Sequence, residues 1–131
     1  FQCDQPSDSA YYSPVNDAVV VPMLRQYEIP EEYYSTAFHE LTHSTMAESR
    51  CNRRPDKDGT YFGDADYSRE ELVAEICSAM ILSRLGIDSE RAFRNSAAYI
   101  QGWLHALKND VRMIVWASSK AEAAARYILL E

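Results

Sequence analysis

The period of the apolar positions changes along the chain, and each change marks an element. In "AYYSPVNDAVVVP", Ala10 to Pro22, two short β-prone runs flank Pro14–Asp17, where Pro, Asn and Asp favour a turn, so the stretch predicts a β-hairpin. Pro14 and Pro22 cannot donate to a ladder, which places these strands at edges or strand ends. After "YEIP" the period becomes helical. Pro30 suits an opening helical position and Glu31 and Glu32 suit the positive helix end, so a helix is expected from Pro30 to about Glu48. On a 3.6-residue wheel Tyr34, Ala37, Phe38, Leu41 and Thr45 share one side, while Ser35, Thr36, His39, His43 and Met46 share the other. The histidines are thereby expected to face away from the most apolar stripe.

Asn52 to Ser68 is rich in Gly, Asp and Pro, has no sustained period and reads as a loop with a short strand near Tyr61. Ser68 with Glu71 three residues on forms a capping box, which opens a helix to about Leu85 closed by Gly86. Asn95 or Ser96 starts a further helix, and "VRMIVWASSKAEAAARYILL" supplies the last one, either continuous with its predecessor or broken near Asn109–Asp110. These last two elements carry no obvious chemistry and are assigned to packing. Phe1 to Ser9, polar and carrying Pro6, is an extended lead-in. The class expected is α+β, mostly helical with a small edge hairpin.

At 131 residues, 47% of them apolar, the chain suits one globular domain spanning 1–131. The formal charge of −7 and the lack of a long Lys/Arg run argue against direct nucleic-acid binding. The densest basic stretch, "RCNRR" from Arg50 to Arg54, reads as a solvated helix end. No apolar run is long enough to cross a membrane, and a chain opening on Phe1 reads as part of something longer. Cys3, Cys51 and Cys77 form no CxxC pair. A zinc ribbon or disulfide scaffold is thereby disfavoured, and a reduced, cytoplasmic protein is expected, although Cys3 and Cys51 could pair in an oxidising compartment. Cys77, in "AEICSAMIL", reads as a small buried hydrophobe.

Against this background "AFHELTHSTM", Ala37 to Met46, stands out. Residues i and i+4 lie one turn apart on one helix face, so His39 and His43 can direct imidazole nitrogens at a single ion. Glu40, about 100° around the helix, is placed to take a proton from water and not to bind the metal. This HExxH pattern points to Zn²⁺ with a glutamate general base. With three His and eleven Glu in the chain, its chance occurrence is roughly half a percent. The competing reading is a pair of surface histidines on an amphipathic helix.

A catalytic zinc usually takes three protein ligands. In "YSREELVAEICSAMIL" Glu71 and Glu75 lie one turn apart on a helix that also carries Leu72, Val73, Ile76, Met80 and Ile81. Carboxylates buried there need a partner, and two in register suggest one on the metal and one holding a ligand histidine's other ring N–H. We take Glu71 as the ligand and Glu75 as the acid behind it, in the manner of metallopeptidases whose third ligand is glutamate; the reverse division is the alternative. Glu70 reads as a solvated helix residue, and His105 as a packed or surface histidine.

Together "AYYSPVNDAVVVP", "YYSTAFHELTHSTMAESRCNR", "FGDADYSREELVAEICSAMI", "AAYIQGWLHALKND" and "AEAAARYIL" resemble, in order, the C-terminal zincin-like metallopeptidase domain of ArdC-type antirestriction proteins. The resemblance runs from Ala10 to Leu130, and its most specific parts are "HELTH" and "YSREELVAEI". It implies a zincin-like fold, metal chemistry at His39, Glu40 and His43 with an acidic helix carrying Glu71 and Glu75, and a protein of plasmids or other mobile elements in which a single-stranded-DNA-binding domain precedes this one. Family members often have Gly and Trp where this chain has Thr42 and Ser44.

Two functions follow as expectations. One is a gluzincin-like zinc metallopeptidase acting on a protein or peptide, with the edge strand near Val19 to Val21 aligning an extended substrate and Tyr61 or Tyr67 as candidate donors to the oxyanion. The other is a zinc-stabilised module that binds host restriction machinery without cutting it.

Overall fold

In a computed structural model the chain forms a short β-hairpin and four helices; the structure describes residues 1–53, 64–87 and 90–131. Strand β1 (Tyr11–Ser13) pairs antiparallel with β2 (Ala18–Val20), with Tyr12 opposite Val19. The strands end beside Pro14 and one residue short of Pro22, where a missing N–H is harmless. Asp17 takes a left-handed conformation in the turn, and its carboxylate accepts from the Tyr12 hydroxyl at 2.9 Å. The lead-in is more than a lead-in: Gln2 N donates to Val19 O at 2.8 Å and Val21 N to Gln2 O at 3.0 Å, closing the outer edge of β2. An extended ligand therefore cannot use the Val19–Val21 edge expected from the sequence.

After a short 3₁₀ turn at Leu24–Gln26, helix α1 runs over Pro30–Ser44. It stops four residues before the expected Glu48 because its last carbonyls find other donors. The hydroxyls of Thr42, Ser44 and Thr45 donate back to Phe38 O, Leu41 O and Thr42 O at 2.7, 2.5 and 2.6 Å. Guanidinium groups of Arg50 and Arg53 donate to Ser44 O and Thr42 O at 2.9 Å each. Arg50 also grips Asp17 at 2.8 and 2.6 Å, tying the hairpin to the end of α1. The "RCNRR" segment is thus not a solvated helix end: two of its arginines are internal clamps.

Helix α2 spans Asp64–Leu85 and packs against α1, α3 (Glu90–Ala106) and α4 (Arg112–Leu129). It is already under way at Ser68, which is buried within it, so the expected capping box is not its start. The expected strand near Tyr61 lies outside the described residues. α3 likewise begins before the expected Asn95, and the chain breaks between α3 and α4, where Lys108 and Asn109 take positive φ. No described helix is long and apolar enough to cross a membrane.

The main core joins Leu72, Val73, Cys77 and Ile81 of α2 to Ala117, Ala121, Ala124 and Ala125 of α4, whose small side chains bring the two backbones close. A second cluster joins Val19 and Val21 of the hairpin to Ala37 of α1. Cys77 is a buried hydrophobe, as expected, with its thiol pushed up to about 11 by burial. Cys3 and Cys51 are free and partly buried.

Gly86 closes α2 as the sequence predicts. At φ 69° it sits in the left-handed region, with its N–H on Ser83 O at 3.2 Å and Ile87 N–H on Leu82 O at 3.0 Å, the two bonds of a Schellman end. A Cβ there meets nothing within 4 Å, so the penalty of a side chain is conformational alone. Gly86→Ala is expected to lower the unfolding free energy by about 1–2 kcal/mol in urea titration, without change in the metal content of the protein.

Candidate metal centre

α1 presents His39 and His43 toward α2, not toward solvent, because its Ala37 side is covered by the hairpin and Phe38 joins the main core. α2 answers with three carboxylates. Glu71 Oε2 lies 3.0 Å from His39 Nε2, and Glu71 Oε1 lies 3.1 Å from His43 Nε2. The two Nε2 atoms are themselves 3.1 Å apart. Three donor atoms, one from each side chain, thus converge within 4.8 Å of one another. Separations of this order are near the roughly 3.3 Å edge expected for tetrahedral ligands with bonds of about 2.0–2.1 Å, so the donor set fits a divalent cation.

Each imidazole is held from behind through its other nitrogen. His39 Nδ1 lies 3.1 Å from Glu75 Oε1, and His43 Nδ1 lies 3.1 Å from Glu70 Oε2. In the neutral rings that a cation needs, the N–H on Nδ1 donates to the carboxylate in each case and both Nε2 lone pairs aim at the convergence point. Glu70 is therefore not a solvated residue. It is 4% exposed and also accepts from Arg53, at 2.9 Å from Nε and 3.1 Å from Nη2, while Arg53 Nη1 donates to Thr45 Oγ1 at 2.7 Å. The signal for Glu70 was present: α2 buries residues on every side, so an acid beside Leu72 and Val73 had no guaranteed route to water.

The electrostatics follow from this packing. Burial pulls both imidazoles toward the neutral form, but the carboxylates prevail, pushing His39 up to about 10 through Glu71 and Glu75 and His43 up to about 9 through Glu70 and Glu71. Burial raises Glu71, and the two histidines outweigh it and hold the carboxyl down at about 2. The cluster thus favours positive charge between its donors. Glu40 stands apart from the three converging donors. Burial raises its pKa above the usual carboxylate range, against the histidines and a backbone hydrogen bond from Tyr12 that lower it.

Two cavities meet at Glu40. One of about 380 Å³ lies between α1 and α3 and reaches His39 and Glu75; the other, about 270 Å³, is lined by Ala10, Tyr11, Tyr12 and Pro14 of the hairpin together with His43 and Glu71. Tyr67, one turn before Glu71, lines the second cavity with its hydroxyl beside the Glu71 carboxylate and its ring edge-on to Trp103 at 5.6 Å. Tyr61 lies outside the described residues. His105 is exposed and is not one of the converging donors. α3, assigned to packing from the sequence, also supplies a cavity wall through Asn95, Ser96 and Tyr99.

The sequence profile of the zincin-like metallopeptidase family matches residues 2–120. The chain belongs to that family. Its solved relatives include the antirestriction protein ArdC of plasmid R388 in a Mn(II)-bound structure, 36% identical with a TM-score of 0.73, and in a metal-free structure with a TM-score of 0.68. These alignments cover 95% of this chain and 45% and 43% of the ArdC chains. It is also 36% identical over 93% of its length to the DNA primase TraC of Escherichia coli, and 39% identical over 91% to the uncharacterized protein y4eC of Sinorhizobium fredii. The chain spans 8% of that TraC and 38% of y4eC. The ArdC-type resemblance and the zincin-like fold expected from the motifs are both borne out.

The Glu70–Arg53 pair yields a direct test of the buried charge in this chain. Glu70→Ala leaves the Arg53 guanidinium, its side chain 5% exposed, without its carboxylate, and is expected to lower the unfolding free energy by about 3–5 kcal/mol. Urea unfolding measures it; a loss below about 1 kcal/mol would show that water screens the pair as it screens surface ion pairs.

Proposed function

We propose that this chain is the metallopeptidase part of a longer antirestriction protein of a mobile element, hydrolysing peptide bonds with Glu40 as general base. The observation that carries this reading is the division of labour around α1: His39, His43 and Glu71 converge, while Glu40, one residue from a donor, is excluded from the set and faces both cavities. A purely structural metal has no use for such a base. On this reading His39, His43 and Glu71 hold the ion, with Glu75 and Glu70 fixing the two rings. Zn²⁺ is our choice of ion; ArdC of plasmid R388 was solved with Mn(II), and a donor set of two imidazoles and a carboxylate accepts either. When bound, the ion supplies Lewis acidity to a water and to the substrate carbonyl.

The remaining steps fall to the chain's own groups. Glu40 takes the proton of the attacking water and passes it to the departing amine, a task suited by a pKa raised through burial. The Tyr67 hydroxyl, at the rim of the second cavity, donates to the developing oxyanion. β1, with β2 on one side and this cavity along its length, replaces β2 as the strand that aligns an extended substrate. We place the protein in the cytoplasm, in keeping with its three free cysteines, and assign any single-stranded-DNA binding to another part of the longer protein, since Arg50 and Arg53 are engaged internally.

Metal analysis of the purified protein is expected to give about one zinc per chain, lost in His39→Ala and in His43→Ala. In chelator competition Glu71→Ala is expected to weaken binding more than Glu75→Gln, which loses roughly 10–100-fold; the opposite order would exchange their roles. Glu40→Gln is expected to keep fold and zinc and to abolish cleavage of every casein-like or library peptide that the wild type cuts. Antirestriction by the longer protein that persists in Glu40→Gln, with no cleavage seen in the wild type, would favour a metal-stabilised module that binds without cutting.

A further inference from the structure

The cavity between α1 and α3 has a wall chemistry that the proposed reaction does not use. Glu32, Ser35, Thr36 and His39 descend one side of α1 at helical spacing, so Glu32 lies two turns, about 10 Å along the axis, from the donor set. Opposite them stand Asn95, Ser96 and Tyr99 of α3. Among the described residues its charged lining consists of Glu32, Glu40 and Glu75, with His39 the group there that can carry positive charge. Ser96 is 5% exposed, lines the cavity, and its hydroxyl has no hydrogen-bond partner among the described residues. A buried hydroxyl without a partner is costly unless something that enters the cavity satisfies it.

We propose that this cavity is a specificity subsite for an arginine or lysine side chain of the substrate next to the bond attacked, an inference that rests on the peptidase reading above. An acidic side chain would meet three carboxylates. An apolar one would strip water from Glu32, Asn95 and Ser96 and return no hydrogen bond. A long cationic side chain has the reach to lie along α1 from the donor set toward Glu32, can stack on the Tyr27 and Tyr99 rings that flank the cavity, and carries donors for the Glu32 carboxylate and the Ser96 oxygen. Glu32 already has a cationic partner, Arg91 at 3.3 Å, but their side chains are 30% and 51% exposed, and a pair so wet is readily exchanged for an incoming guanidinium.

Peptide hydroxamates test the subsite apart from turnover, because the hydroxamate anchors on the metal while the side chain samples the cavity. Calorimetry on the zinc-loaded chain would compare arginine with its neutral isostere citrulline, with norleucine and glutamate, and with glycine as the anchor alone. The arginine compound is expected to bind at least about tenfold more tightly than the citrulline one, as for hydrogen bonds to a charged group. Glu32→Gln should erase most of that preference, and Ser96→Ala part of it, with glycine hydroxamate affinity unchanged in both as the control for fold and metal. Equal binding of arginine and citrulline, or a preference that survives Glu32→Gln, would overturn the subsite. An arginine preference without any peptide cleavage removes the peptidase reading and supports the cavity as the place where a bound, uncut protein seats its cationic side chain, whereas no affinity for glycine hydroxamate in the wild type removes both.

Discussion

Three carboxylates of one helix and two imidazoles of another share a space largely closed to water, and the local charge balance there constrains the rest of the molecule. Glu70, Glu71 and Glu75 bring three negative charges and Arg53 one positive, so with neutral histidines the sum is −2. Either two imidazolium protons or one divalent cation offsets that sum, in which Glu40, buried beside the same histidines, is not counted. The raised histidines and the depressed Glu71 express the first solution, and the convergence of two Nε2 atoms on Glu71 makes room for the second. Proton and metal therefore compete for the same electrostatic vacancy, which is the general coupling between metal affinity and pH.

Holding that balance requires α1 and α2 to meet in one register, and the segment after α1 fixes it. Arg53 is not only a countercharge: the same guanidinium donates to Thr42 O and Thr45 Oγ1, so the end of α1 and the start of the acidic cluster on α2 are locked through one side chain. Thr42 and Ser44 spend their hydroxyls on the carbonyls of α1, and Thr42 is fully buried. Both side chains are thereby satisfied within the helix, apart from the donor atoms.

How much of this could be read from the sequence depended on the range of each interaction. The hairpin turn, the Pro30 start, Gly86 and the i, i+4 histidines are local, set by backbone conformation or helical spacing, and they stand where the residues put them. The assignments that moved depended on partners distant in sequence. The end of α1 is decided by arginines beyond it, the open edge of β2 is closed by Gln2, and the burial of Glu70 depends on His43 and Arg53, 27 and 17 residues away. The wheel for α1 puts the histidines off its most apolar stripe, and there they lie; that this side meets the carboxylates of α2 is again decided by partners distant in sequence.

HExxH by itself underdetermines the site. Spacing on α1 brings two rings to one face, but a free imidazole can present either nitrogen and rotate about its side chain. Glu75 and Glu70 remove that freedom by accepting from the two Nδ1–H groups, so the acidic helix selects the tautomer and aims both Nε2 atoms. Because Glu70, Glu71 and Glu75 lie within two turns of one helix, the positions of ligand and supports cannot vary independently. A shift of α2 along its axis by one residue, about 1.5 Å, would break all four imidazole–carboxylate contacts together. The packing of α2 against the alanine face of α4 thus adds to the Arg53 clamp in keeping the site assembled.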